Sequence, residues 1–141
     1  MREILFRGKK KFDGEWIDGY YVQTNDYLDE RKLNLIFEAN SVNYPHSEIV
    51  GTHEVDSETI GQYTGLTDKN GVKIFEGDII RFDGGWEEYG GNTFEVVFTN
   101  GCFYLGRNPD RICFLLKAYI EWAEVVGNIY DNPELLGGDS E

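Results

Sequence analysis

Basic charge is scarce in this chain. Thirteen Lys and Arg stand against 26 Asp and Glu, a net charge of −13. So few cations leave little to release counterions from a phosphate backbone, which argues against direct nucleic-acid binding and against anionic membrane surfaces. Cysteine is nearly absent as well. Cys102 and Cys113 are the 2 in the chain, one possible pair and no disulfide framework. Each lies in an apolar stretch, where a thiol ordinarily packs as a small hydrophobe. No apolar run approaches the ~18 residues of a membrane span. The first residues are charged from Arg2 onward and lack the apolar core of a signal peptide, so the expected location is the cytoplasm. Proline, at 3, is too rare for a linker-rich chain.

What is present is aromatic and glycine-rich. Aromatic residues make up 15% of the chain, with 3 Trp, 9 Tyr and 9 Phe, which removes disorder as the meaning of its high charge. With 141 residues the chain can bury roughly two-thirds of its unfolded surface. The 17 glycines punctuate short apolar runs, the pattern of turns between strands. Residues 2–11 and 15–24 read as a hairpin about Asp13-Gly14. Residues 25–33 read as a loop or one helical turn, 34–39 as a short strand, and 40–53 have no clear period. Further strands are expected at 58–63, 79–82, 93–99, 102–105 and 123–130. Asn100-Gly101 is the strongest hairpin signal. Residues 112–121 fit strand and short helix equally, and 134–141 form an acidic end expected to fray. Many short strands with regular turns predict an all-β fold, a sandwich or a small barrel. Phe6, Trp16, Ile60, Ile80, Phe82, Val96, Phe98, Phe103, Val125 and Ile129 are the expected core.

Tyr63-Thr64-Gly65-Leu66-Thr67-Asp68-Lys69-Asn70-Gly71, followed by Ile74-Phe75-Glu76-Gly77-Asp78-Ile79-Ile80, resembles the signature of the YopX family of phage and prophage proteins. The start, Arg2-Glu3-Ile4-Leu5-Phe6-Arg7-Gly8-Lys9 with Gly14-Glu15-Trp16, is similar to that family's start. So is the ending, Val125-Val126-Gly127-Asn128-Ile129-Tyr130 with Asn132-Pro133-Glu134-Leu135-Leu136. The stretch 26–53 and the loop 83–92 match nothing in that pattern. The resemblance implies a mostly β fold with an SH3-like barrel in its second half. The expected organisation is one unit over 1–136, with N-terminal strands and loops in 1–56 packed on the barrel in 57–136, then an acidic end at 137–141. The resemblance also implies a phage or prophage gene and no enzyme activity, so no catalytic residue is carried over. Asp68, Asn70-Gly71, Gly77 and Asp78 also have a physical account as turn and capping residues, and Glu76 and Asp78 are weighed as structural before functional.

The remaining candidate sites are thin. His53-Glu54 begins a His-Glu-x-x-His zinc pattern, but Ser57 stands where the second histidine belongs. His46 and His53 with Glu48 or Asp56 make a poor metal set, and no metal or cofactor is expected. Asp68-x-Asn70 opens like a calcium loop, but its Gly71 comes early and the closing acid is missing. Nothing local activates Cys102 or Cys113 for a pairing with either histidine. Gly8-Lys9-Lys10 lacks the phosphate-cradling run of a P-loop, and Glu87-Glu88 means little among so many acids. Arg7, Lys9 and Lys11 share one strand face, either an anion patch or lysines guarding an edge strand. Trp86 and Tyr89, in the glycine-rich loop 83–92, are the expected binding residues. The resulting reading is a non-catalytic interaction module whose partner is an unidentified host or phage protein. Two alternatives stand beside it: an acidic DNA mimic that occupies a host nucleic-acid-binding protein, and a small metal-dependent hydrolase. Exposed β edges leave a homo-oligomer open.

Overall fold

The computed structural model describes residues 3–28, 30–38, 51–84, 91–108 and 111–137, without the side chains of 108, 111–113 and 137. It divides into two compact units, Met1–Tyr63 and Thr64–Glu141.

In the first unit, β1 (Phe6–Lys9) and β2 (Trp16–Asn25) form the hairpin that the sequence predicts. Gly14 takes φ +75°, and Asp13 Oδ1 accepts the Glu15 N–H at 3.0 Å, the side-chain-to-backbone bond that fits Asp-Gly to a turn. Next come β3 (Lys32–Glu38), β4 (Thr52–Glu54) and a 3-10 turn at Ser57–Thr59 capped by Asp56. β5 (Gly61–Thr67) carries the chain into the second unit, where β6 (Lys73–Phe75) follows; the strand order is β4-β3-β2-β1-β5-β6. Alternation along these strands buries Ile17, Ile36 and Val55 together, with Tyr21 and Ile60 packed against them.

The second unit holds a five-stranded antiparallel sheet. Its strands are β7 (Asp78–Arg81), β8 (Thr93–Thr99), β9 (Cys102–Asn108), β10 (Arg111–Leu115) and β11 (Glu124–Asn128), in the order β10-β9-β8-β7-β11. The Asn100-Gly101 turn forms as expected, with φ of +51° and +81°, and pairs Thr99 with Cys102. A 3-10 segment, Leu116–Trp122, leads into β11, and α1 (Glu134–Gly137) closes the described chain. Ile74, Ile80, Phe82, Phe94, Val96, Leu105, Leu116 and Ala123 form the core. Phe94 meets Phe82 and Phe114 edge-to-face at 5.9 and 5.8 Å. Burial of each large side chain contributes roughly 1.5–3 kcal/mol.

The all-β class stands, as two antiparallel sheets. β10 and β11 are the edges of the second sheet, and among the described residues no pairing closes it into a barrel. Several finer expectations are corrected. Phe98 is 48% exposed, not core. It lies on the predicted face of β8 but beyond the covered part of the sheet, beside Phe103 at 4.9 Å near the hairpin tip. Trp16 is only half-buried, because the parity of β2 gives the core place to Ile17. Cys102 is exposed at the hairpin end, whereas Cys113's side chain lies outside the described atoms. β1 lies between β2 and β5, so its lysines guard no edge. Of the end expected to fray, residues 134–137 form a helical turn, with Thr93 Oγ1 donating to the Leu135 carbonyl at 3.1 Å, and 138–141 lie outside the described residues.

Candidate functional site

An aromatic hollow lies in the second unit. Lys69, Phe82, Asp83, Tyr119, Glu121 and Trp122 line a groove of about 360 Å³. Each wall has a local cause. Phe82 follows β7 and is buried as the floor, 1% exposed. Its backbone N–H donates to the Asn92 carbonyl at 2.9 Å, and its own carbonyl accepts the Asn92 side-chain amide at 2.7 Å. Asp83 is the next residue and is almost wholly exposed. Tyr119 stands at the kink that divides the 3-10 segment, with φ −121° and ψ 15°, and Trp122 ends the turn that follows. Their ring centroids are 6.4 Å apart. Tyr119 is anchored by Phe114 at 5.0 Å and by Phe82 at 6.3 Å, both edge-on. Trp122 is 57% exposed and offers its ring to solvent. Lys69 Nζ reaches Asp83 Oδ2 only at 4.0 Å, and the exposed Glu121 completes the rim. The groove therefore combines fixed aromatic surface with two exposed carboxylates.

A second hollow, about 250 Å³, brings Glu76 and Glu95 beside Tyr130. Burial pushes the Glu95 carboxyl above its ordinary range, and the Glu76 carboxylate adds to the rise. A hollow of about 680 Å³ at the β2–β3 loop is lined by Thr24, Asn25, Asp26, Tyr27, Glu30 and Lys32. Tyr27 is 100% exposed there.

The signature residues are largely accounted for as structure. Asp68 Oδ1 accepts the N–H groups of Asn70 and Val72 at 2.8 and 2.9 Å, and its Oδ2 accepts that of Val125 at 2.9 Å. Asp78, buried, accepts the Phe75 N–H at 2.8 Å across the bend at Gly77, whose φ is +92°. Asn128 Oδ1 accepts from the N–H groups of Tyr130 and Asp131 at 3.0 and 2.9 Å. The basic cluster divides. Arg7 and Lys9 lie over the Trp16 ring at 4.7 and 5.5 Å, Lys10 pairs with Asp13 and Lys11 with Glu54. His53 is on a strand, not the helix a His-Glu-x-x-His site needs, and faces Glu38 at 3.4 Å. Among the described residues no three His, Cys, Asp or Glu side chains gather as a metal site. No helix among them is long and apolar enough to cross a membrane.

Trp86 and Tyr89, the binding residues expected from the sequence, lie outside the described residues, as do His46, Glu48, Glu87 and Glu88. Tyr119, Glu121 and Trp122 were not singled out by the sequence, because 112–121 fits strand and helix alike and Trp122 falls just past it. The aromatic i, i+3 pair Tyr119/Trp122 was the available signal.

Fold and turns together define an all-β protein of two antiparallel sheets held by side-chain-capped bends. The sequence model described as YopX protein matches residues 5–137. The chain belongs to the YopX family. Two crystal structures are similar to it. Protein EF1440 from Enterococcus faecalis is 24% identical with a TM-score of 0.53, covering 96% of this chain and 99% of its own. Protein yopX from Bacillus subtilis is 15% identical with a TM-score of 0.52, covering 96% and 97%. At these identities the likeness is one of fold. No curated protein matches the chain.

Proposed function

We propose that this chain is a non-catalytic interaction module that grips a partner protein through the groove of Phe82, Asp83, Tyr119, Glu121 and Trp122. One observation carries this reading: a half-exposed tryptophan, beside a tyrosine braced by Phe114 and by Phe82, the buried floor. Large rings fixed in this way give contact area at little entropic cost, the property that makes Trp and Tyr binding anchors. We read the five-stranded sheet as an SH3-like fold whose barrel is left open. The partner is a host or phage protein in the cytoplasm of a cell that carries a phage or prophage.

The test is a binding titration with the purified partner. Trp122→Ala should weaken binding by at least tenfold, while Phe12→Ala, at a residue 96% exposed in the other unit, should leave it unchanged. Equal loss in both variants, or in neither, overturns the assignment of the groove.

A further inference from the structure

The chemistry of the groove specifies its occupant more narrowly, provided the groove is the partner site. An apolar occupant would need the rings alone. Here two exposed carboxylates, Asp83 and Glu121, flank the rings of Tyr119 and Trp122. A cation laid on an aromatic face gains from the ring quadrupole, and a carboxylate at the rim then meets its N–H groups. Guanidinium suits this better than ammonium. It is planar, so it stacks on indole; it is weakly hydrated, so it loses less on entering; and it presents a fork of donors to a carboxylate. The chain's net charge of −13 favours the same sign of partner and speeds its arrival. Lys69, also in the lining, forms a long ion pair with Asp83 that leaves the carboxylate open to a second cation. Its ammonium stops 4.0 Å from Asp83, whose side chain remains 98% exposed.

We propose that the groove binds an arginine side chain presented on an extended segment of a basic partner protein. The guanidinium stacks against Trp122 and Tyr119, and Asp83 and Glu121 accept its N–H groups.

The test uses the full chain and four pools of heptapeptides with randomised flanks and a fixed centre: arginine, citrulline, lysine or glutamate. Citrulline keeps the shape of arginine without its charge. Binding is read from the Trp122 indole N–H resonance, assigned with Trp122→Phe. The arginine pool should shift that resonance and bind at least tenfold more tightly than the citrulline pool. Asp83→Asn with Glu121→Gln should erase that preference; both residues are exposed, so the fold is unaffected. Equal binding of the arginine and citrulline pools, or a lysine pool as tight as the arginine pool, overturns the arginine assignment. So does tightest binding of the glutamate pool. In each of these cases a shift at Trp122 leaves the groove itself standing as a partner site. If no pool moves the Trp122 resonance, the groove reading falls along with the arginine one.

Discussion

Asp68 is 6% exposed and spends both carboxylate oxygens on backbone amides. Burial pushes its acidity one way, raising the pKa, but hydrogen bonds from the Val125, Val72 and Asn70 N–H groups outweigh it. The carboxyl is held below its ordinary range. A group whose folded pKa lies below its unfolded value contributes stability above the unfolded value, and that contribution fades as pH falls through the folded one. Asp68→Ala should therefore cost about 2–3 kcal/mol near neutral pH, by leaving buried donors unsatisfied. The loss relative to the native chain should shrink as pH falls below the ordinary aspartate range of about 4, where the unfolded chain's carboxyl takes up a proton before the native one does, and should vanish once the native carboxyl protonates as well. Urea unfolding at neutral and acid pH measures both; a pH-independent difference would show that the charge on Asp68 is not what holds the turn. The residue types Asp68, Asn70 and Gly71 made the turn legible from sequence. The bond to Val125, 57 residues away, was not, because no local pattern encodes a long-range partner.

At the scale of elements, legibility followed the strength of local chemistry. The extent of β8 and its Asn100-Gly101 hairpin were readable, since alternation and two left-handed positions admit few alternatives, although alternation did not foretell the exposure of Phe98. The run 112–121 resisted, because it is both things at once: strand to Leu115, then 3-10 turns to Trp122. β4 is three residues of Thr-His-Glu, too short and too polar to show a period. The end of β11 shows a constraint that patterning hides. Register shifts between Val125 and Gly127, and a Cβ on Gly127 would meet Asn132 Oδ1 at 2.5 Å and Cγ at 2.8 Å. Asn132 has little room to yield, because its Oδ1 accepts the Asn128 N–H at 3.2 Å and its own N–H bonds the Asn128 carbonyl at 2.8 Å. Gly127→Ala should destabilise by about 1–3 kcal/mol, the usual cost of overpacking. Adding Asn132→Gly should recover part of it, giving a measurable coupling in a double-mutant cycle of thermal unfolding. Strictly additive losses would place the strain elsewhere.

At the scale of the whole molecule the dominant property is charge, and a surface of carboxylates invites comparison with duplex DNA. The structure shows how many of those carboxylates already have work within the fold. Asp13, Asp26, Asp56, Asp68 and Asp78 accept backbone N–H groups. Glu54 holds Arg31 and Lys11, and Glu124 holds Arg81. A DNA mimic needs free carboxylates at phosphate-like spacing, and its binding would release many counterions. A partner held by one aromatic groove and two carboxylates would instead give a shallower response of affinity to salt: screening slows its arrival, but the bound state holds few charge contacts. We therefore expect the partner complex to weaken less than about tenfold between low and physiological salt, where a mimic making several phosphate-like contacts would lose about 10³-fold or more. Excess duplex DNA should fail to displace the partner. A steep salt slope together with displacement by DNA would transfer the interaction from the groove to the acidic surface, and Trp122→Ala would then leave affinity untouched.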